Sequence, residues 1–390
     1  MHRWSFLAVI LVLSFQGWVS AEGTKTDLHF DFGSGKTGFT RVSPKSAYSK
    51  EAGFGFEPGS EVKAGGNCCA SDKPFLFSVA VPEGNYKVTV TLGDGNEAST
   101  TTVKAELRRL MLEKVHTDAG KTETRIFTVN VRTPLIAGGG EVHLKPREKT
   151  SETMAWDDKL TLEFNGDHPS VVSLEIASAD DVPTVYILGD STVCDQPKEP
   201  WNSWGQMLTR FLKPDVVVAN HAESGESLRS SLGAKRLDKV LGEMKAGDYL
   251  FVQYGHNDMK EKGEGVGAFT TYKADLKRFV DGAKKKGGIP VLVTSMERKA
   301  GVDHETLGDY PEAVRQVAKE ENVTLIDLNT MSKTLYKAMG SDLGKAFQDG
   351  THHNNYGSYE MAKCVIEGIK KSDLPLAKSI VDDFGDFDPG

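Results

Sequence analysis

The run Thr184-Val185-Tyr186-Ile187-Leu188 is β-branched and aliphatic, and it stops abruptly at Gly189-Asp190-Ser191. Such a run reads as a buried strand, and the glycine as the start of a sharp turn that delivers a serine. This stretch divides the chain. Before it, short segments alternate apolar and polar residues with period two. After it, apolar runs alternate with helical spacing. The two patterns belong to different layer arrangements, and 390 residues are too many for one ordinary core. Two domains are therefore expected: a β-sandwich over 22–178 and a three-layer α/β domain over 182–378, followed by a tail over 379–390. The stretch 177–183, small, acidic and ended by Pro183, reads as the junction.

In the first half, strands are expected over 75–81, 86–92, 123–131, 141–144, 159–164 and 171–176. Turn clusters such as Pro82-Glu83-Gly84-Asn85 and Gly93-Asp94-Gly95-Asn96 separate them. Many short strands with regular turn signals imply an antiparallel sandwich. Gly138-Gly139-Gly140 is a loop rather than a phosphate cradle, because no helix follows it.

The N-terminus carries a different signal. His2 and Arg3 precede an apolar run over 6–15, and Val19-Ser20-Ala21 has the small-residue pattern of a cleavage site. A secretory signal peptide over 1–21 is expected, which makes the mature protein secreted or periplasmic. The run is too short to span a membrane, and no comparable stretch follows. A net charge of −8 argues against nucleic acid as a partner. Cys68, Cys69, Cys194 and Cys364 match no zinc spacing. Adjacent Cys68 and Cys69 cannot easily bridge each other, and a Cys194–Cys364 disulfide stays open alongside free thiols.

In the second half, nearly continuous apolar runs over 184–188, 216–219, 249–254, 289–295 and 323–328 fit a parallel sheet covered on both faces. Helical patterns lie between them, near 204–211, 228–244, 272–285 and 310–320, and a last one covers 356–370. Five strands joined by crossover helices form a doubly wound domain, whose sites lie beyond the carboxyl ends of the strands. Four polar segments fall there. Ser191 follows the first strand, and Ser224-Gly225-Glu226-Ser227 follows the second. Gly255-His256-Asn257-Asp258 follows the third, and Asp349-Gly350-Thr351-His352-His353 precedes the last helix.

A hydroxyl nucleophile needs a base, an acid to orient the base, and donors for an oxyanion. Ser191 is the expected nucleophile, His352 its base and Asp349 the orienting acid. The backbone N–H groups of Ser191 and Gly225 and the side-chain amide of Asn257 are the expected oxyanion donors. Asp190 and His256 read as structural residues. Adjacent His352 and His353 point opposite ways in an extended segment, so no metal is expected. Trp204, Arg298 and Tyr310 are expected to line the substrate cleft.

With these four segments in this order, the second half resembles the SGNH, or GDSL, hydrolase superfamily. The spelling Gly189-Asp190-Ser191-Thr192-Val193, Trp204-Gly205-Gln206, Gln253-x-Gly255-His256-Asn257-Asp258 and Asp349-Gly350-Thr351-His352 is similar to the rhamnogalacturonan acetylesterases (carbohydrate esterase family 12). The match covers about residues 184–372. The first half resembles galactose-binding-like jelly rolls, through Phe30-Asp31-Phe32-Gly33, the 82–86 turn and Trp156-Asp157, and the layout resembles two-domain bacterial members. Two departures stand out. Glu226 occupies a position where arginine is common, and His353 one where an aromatic is common.

The resemblance implies a serine esterase that removes O-acetyl groups from polysaccharide, foremost pectic rhamnogalacturonan, without a cofactor. Acetylated poly- or oligosaccharide is the expected partner. Alternatives are an esterase or lipase of the same superfamily on short acyl esters, an acetyl xylan esterase, or an inert glycan-binding protein. The sandwich either binds glycan or packs on the catalytic domain and shapes its cleft.

Overall fold

A computed structural model describes residues 25–390; the expected signal peptide lies outside the described residues. The first half is a sandwich of two five-stranded sheets with a small three-stranded sheet beside them. One sheet runs Glu123–Val131, Gly84–Leu92, Ser173–Ser178, Asp27–Asp31, Thr40–Arg41 in spatial order. The other runs Phe54–Phe56, Phe75–Ala80, Lys159–Asp167, Ser99–Ala105, Arg109–Thr117. Pairing is antiparallel throughout except between Asp27–Asp31 and Thr40–Arg41. Period two explains the packing. Tyr86, Val88, Val90 and Leu92 are buried on one face of their strand, as alternation requires. Phe30, Phe32, Phe56, Phe75, Phe77 and Phe164 fill the space between the sheets. The rings of Phe75 and Phe164 stack with centroids 5.0 Å apart.

Two sequence expectations change here. The hairpin Ser99–Ala105/Arg109–Thr117 is a full pair of strands that no turn signal announces. Its reversal uses Glu106 and Arg108 in left-handed conformations (φ 54° and 65°) instead of glycine or asparagine. Conversely, 141–144 forms no strand; only an isolated Leu135/Glu141 bridge is present. That segment leaves the sandwich and lies against the second domain, where His143 N–H donates to Ala234 O at 3.0 Å.

The second half has the expected all-parallel sheet of five strands: Thr184–Gly189, Val217–Asn220, Tyr249–Gln253, Ile289–Val293 and Thr324–Ile326. Numbered along the chain, their spatial order is 2-1-3-4-5. Every residue of the first and third strands is buried. Helices α1 (Trp204–Leu208), α2 (Leu228–Gly233), α3 (Arg236–Glu243), α4 (Lys273–Lys285), α5 (Tyr310–Glu321), α6 (Leu328–Met339) and α7 (Asn355–Lys370) cover both faces. On one face, Val185, Ile187, Phe251 and Val293 pack with residues of α1, α6 and α7. On the other, Tyr186, Leu188, Val252 and Leu292 pack with residues of α2 to α5. Helix α6 is an addition to the sequence reading, which carried the fifth strand on to Leu328. The strand ends at Ile326, and Asp327 caps the helix by accepting from Thr330 N–H.

The domains meet through buried polar contacts, with Leu110 of the first half packed into the apolar core of the second. Asn85 Nδ2 donates to Thr184 Oγ1 (2.8 Å), Thr128 Oγ1 to Val216 O (2.6 Å) and Gln206 Nε2 to Leu107 O (2.8 Å). Arg109, 1% exposed, donates to Val218 O and pairs with Asp195 at 3.2 Å. Arg236 of α3 is fully buried and grips Glu148 of the first half through both terminal nitrogens, at 3.0 and 2.6 Å. Buried charges of this kind are tolerated only when paired and hydrogen-bonded.

Candidate active site

The first strand ends at Gly189, where any Cβ would lie 2.8 Å from Gln253 O and 2.6 Å from Val193 Cγ2. Only glycine permits that approach between the first and third strands. The chain then turns tightly, with Val193 and Cys194 N–H groups both donating to Asp190 O at 3.0 Å. Ser191 is thereby lifted out at the carboxyl edge of the sheet, beside the point where strand order reverses.

Asp190 points inward. Its Oδ1 accepts from Thr192 N (2.9 Å) and Oγ1 (2.8 Å), and its Oδ2 lies 3.2 Å from His256 Nδ1. Burial raises its pKa, but these partners outweigh that and hold it below the ordinary carboxylate range. His256 is itself buried, with its other nitrogen 3.0 Å from Met296 O. Both residues brace the strand ends, in the structural roles expected of them.

The structure brings Ser191, His352 and Asp349 together. His352 Nε2 lies 2.8 Å from Ser191 Oγ, and His352 Nδ1 lies 2.7 Å from Asp349 Oδ2. Asp349 Oδ1 also accepts from the Thr351 and His352 backbone N–H groups, both at 2.7 Å. Burial raises the Asp349 pKa, but these bonds prevail and keep it below its usual value. An ionised carboxylate can only accept, so Nδ1 carries the imidazole proton and Nε2 faces the serine as an acceptor. His353 turns the other way. Its Nε2 meets Tyr336 OH at 3.0 Å, its ring packs on Phe347, and burial pushes its pKa down to about 3.

The second and third segments complete the site. Gly225 adopts a left-handed conformation, φ 76°. Asn257 Nδ2 donates one proton to Glu226 O at 2.9 Å, which leaves its second proton available. Among the described residues, neither the Ser191 nor the Gly225 backbone N–H has an acceptor. Ser191, Gly225 and Asn257 each follow a strand of the sheet, and each carries an N–H with no acceptor among the described residues.

Ser191, Gly225, Asn257 and His352 line a cleft of about 520 Å³, together with Gln196, Lys198, Trp201, Lys260 and Arg298. Three of these are cations, and among the described residues no carboxylate lines the cleft, although the chain as a whole carries −8. Of the three residues expected to line the cleft, Arg298 does so, held by Thr306 O and His256 O. Trp204 is not. It is 1% exposed, and its Nε1–H donates to Gln253 Oε1 at 2.8 Å in the core. Among the described residues the exposed tryptophan is Trp201, 40% accessible, three residues earlier. Tyr310 lies behind the cleft, with its OH on Asp258 O and its ring against Tyr272. Gln196 was unforeseen; its amide donates to Ser191 O at 2.8 Å. The signal for 196–201 was the position of a proline-containing loop directly after the nucleophile strand.

All four cysteines are buried free thiols. Among the described residues no three metal-ligating side chains converge, and no helix is long and apolar enough to cross a membrane.

Comparison with known families places the two halves of the chain separately. Residues 187–358 match the GDSL-like Lipase/Acylhydrolase family. Over 219 residues the chain is 37% identical to "Rhamnogalacturonan acetylesterase RhgT" of Bacillus subtilis (strain 168), spanning 50% of this chain and 94% of that relative. The chain belongs to the GDSL-like lipase/acylhydrolase family. This GDSL esterase also carries a family match in front of its hydrolase domain: residues 28–131 match "Beta-agarase/YXIM esterase-like, galactose-binding domain-like". The two-domain layout recurs along the "Uncharacterized esterase YxiM" of the same Bacillus strain, 27% identical over 407 residues and spanning 96% of this chain and 99% of that one. A "Probable rhamnogalacturonan acetylesterase YesY", again from Bacillus subtilis (strain 168), is 37% identical over 212 residues, 50% of this chain and 97% of that relative.

Proposed function

We propose that this GDSL esterase is exported and removes O-acetyl groups from polysaccharide, with rhamnogalacturonan as its preferred polymer. The observation that carries the reading is the unbroken relay from Asp349 through His352 to Ser191 inside an open cleft. Ser191 Oγ attacks the acetyl carbonyl as its proton passes to His352 Nε2. Negative charge then develops on the carbonyl oxygen, where the N–H groups of Ser191 and Gly225 and the free Asn257 amide proton receive it. The sugar hydroxyl departs with the proton from His352. Water, deprotonated in turn by His352, attacks the acyl-enzyme; the bond to Ser191 Oγ breaks, Oγ takes the proton back from His352, and acetate is released.

Three features support a sugar polymer, and an acidic one. Lys198, Lys260 and Arg298 give the cleft a positive lining suited to the carboxylates of galacturonate units. Trp201 offers an exposed ring at the cleft for a sugar face. Among the described residues no Leu, Ile, Val, Met or Phe lines the cleft, so a long acyl chain finds no aliphatic wall there. The names of the 37% identical relatives point the same way. Export rests on the N-terminal apolar run. The test is acetate release from a panel of acetylated rhamnogalacturonan, homogalacturonan and xylan. Faster release from the acidic polymers, reduced by added salt, is expected; a preference for neutral xylan would reject the polymer assignment.

A further inference from the structure

The loop that carries Gly225 is held from the other domain. Lys145 Nζ, from the first half, donates to Ser224 O at 2.7 Å and pairs with Glu226 Oε1 at 2.8 Å. Arg147 Nη2 also donates to Ser224 O, and Arg147 Nε donates to Glu223 Oε1 at 2.6 Å. The turn bearing both cations is anchored. Glu148 accepts from Lys145 N–H at 2.7 Å, from Trp156 Nε1 at 2.9 Å, and from buried Arg236 of α3.

Ser224 C=O and Gly225 N–H belong to one peptide group. That group is planar and trans, so its carbonyl and its N–H point in opposite directions. Fixing Ser224 O from the sandwich side therefore aims the Gly225 N–H away from it, toward the cleft that Ser224 and Gly225 line. Two cationic donors on the carbonyl also polarise the amide and strengthen its N–H as a donor. A second effect adds to this. Glu223 and Glu226 flank Gly225 and are 5% and 1% exposed. Unpaired, these carboxylates would oppose negative charge forming beside them. Lys145 and Arg147 pair with both. The sequence departure at Glu226 thus has a counterpart in the other domain.

We infer that Lys145 and Arg147 are positioning residues for the oxyanion donor Gly225, so that the sandwich domain completes the esterase site. The inference rests on the esterase reading above. Its test is steady-state hydrolysis of 4-nitrophenyl acetate by the full-length protein, its Lys145→Met/Arg147→Met variant, its Lys145→Arg variant and Ser191→Ala. The double variant is expected to lose about ten-fold or more in kcat with KM within about two-fold, because the donor acts in the transition state. Lys145→Arg, which keeps the charge and a donor, is expected to retain most of the rate. A folded double variant with parent-like kcat, or one changed in KM alone, would overturn the inference. Should the double variant not fold, Lys145→Gln keeps a neutral donor at that position; a several-fold fall in kcat is expected, and an unchanged kcat would overturn the inference equally. A parent protein as inactive as Ser191→Ala would instead remove the esterase reading itself.

Discussion

Asp349 holds His352 at two points: one carboxylate oxygen accepts from the ring Nδ1 and the other from the backbone N–H, each at 2.7 Å. The short Asp349-x-x-His352 segment therefore fixes both where the imidazole sits and which nitrogen carries its proton. Asp349→Asn would let the amide donate to Nδ1 and reverse the tautomer. A loss in kcat on the order of 10⁴-fold is expected with KM little changed. Single-turnover acylation rates check this, and a loss under about ten-fold would remove Asp349 from the relay.

The same pair sets the pH response. Protonated His352 cannot accept the serine proton, so kcat/KM should fall on acidification. Asp349 is held below the ordinary carboxylate range by its N–H partners, against the effect of burial. It therefore stays ionised where an ordinary carboxylate would begin to protonate, and it adds no second proton to the acid side of the profile. A plot of log kcat/KM against pH with a two-proton acid slope would show a second group titrating there.

Asn257 anchors itself with one amide proton and offers the other. Asn257→Ala removes that donor, and kcat is expected to fall on the order of 10²–10³-fold. Binding of a non-hydrolysable substrate analogue should be nearly unaffected. A rate close to the parent's would leave the oxyanion to the two backbone donors alone.

Trp201 and Trp204 should separate cleanly. Trp204 is buried and hydrogen-bonded to Gln253. Trp204→Ala should cost about 3–5 kcal/mol of stability in a denaturant titration. Trp201→Ala should change stability by no more than about 0.5 kcal/mol, yet raise KM on the polymer more than on a small acetate ester. Equal effects on both substrates would reject the sugar-stacking role of Trp201.

Asp258 gives a stability signature. Burial pushes its pKa up to about 7; the Leu228 N–H opposes this and the Asp190 charge adds to it. The folded value lies above the unfolded one, about 3.9. Between the two, the folded state binds more protons, so this contribution to stability falls as pH rises and is lost above about 7. Its slope is at most about 1.4 kcal/mol per pH unit. Asp258→Asn keeps an acceptor for Leu228 N–H and removes the titration. Its stability relative to the parent should therefore improve between about pH 5 and pH 8; a constant difference would show that Asp258 does not titrate there.

What the sequence disclosed, and what it hid, follow from the range of the interactions. The parallel strands were legible because burial on both faces demands apolar runs. The four polar segments were legible because a relay needs fixed residue types at strand ends. The 99–117 hairpin was hidden because Glu106 and Arg108 make its turn without glycine, asparagine or proline. Trp204 was mistaken for a cleft residue because local sequence does not say which tryptophan faces the sheet. Ser203 caps α1 and turns Trp204 inward, leaving Trp201 in the preceding loop. Lys145, Arg147, Glu148 and Arg236 belong to no motif in the sequence. Their partners lie 76 to 88 residues away in sequence, and only the folded chain pairs them.

The most direct measurement is acetate released from acetylated rhamnogalacturonan by the parent protein and by Ser191→Ala at equal concentration. Steady release by the parent and none above background from the variant is the expected result. Release by Ser191→Ala at a rate comparable to the parent's would contradict the assignment of Ser191 as nucleophile, and with it the role of the His352–Asp349 pair.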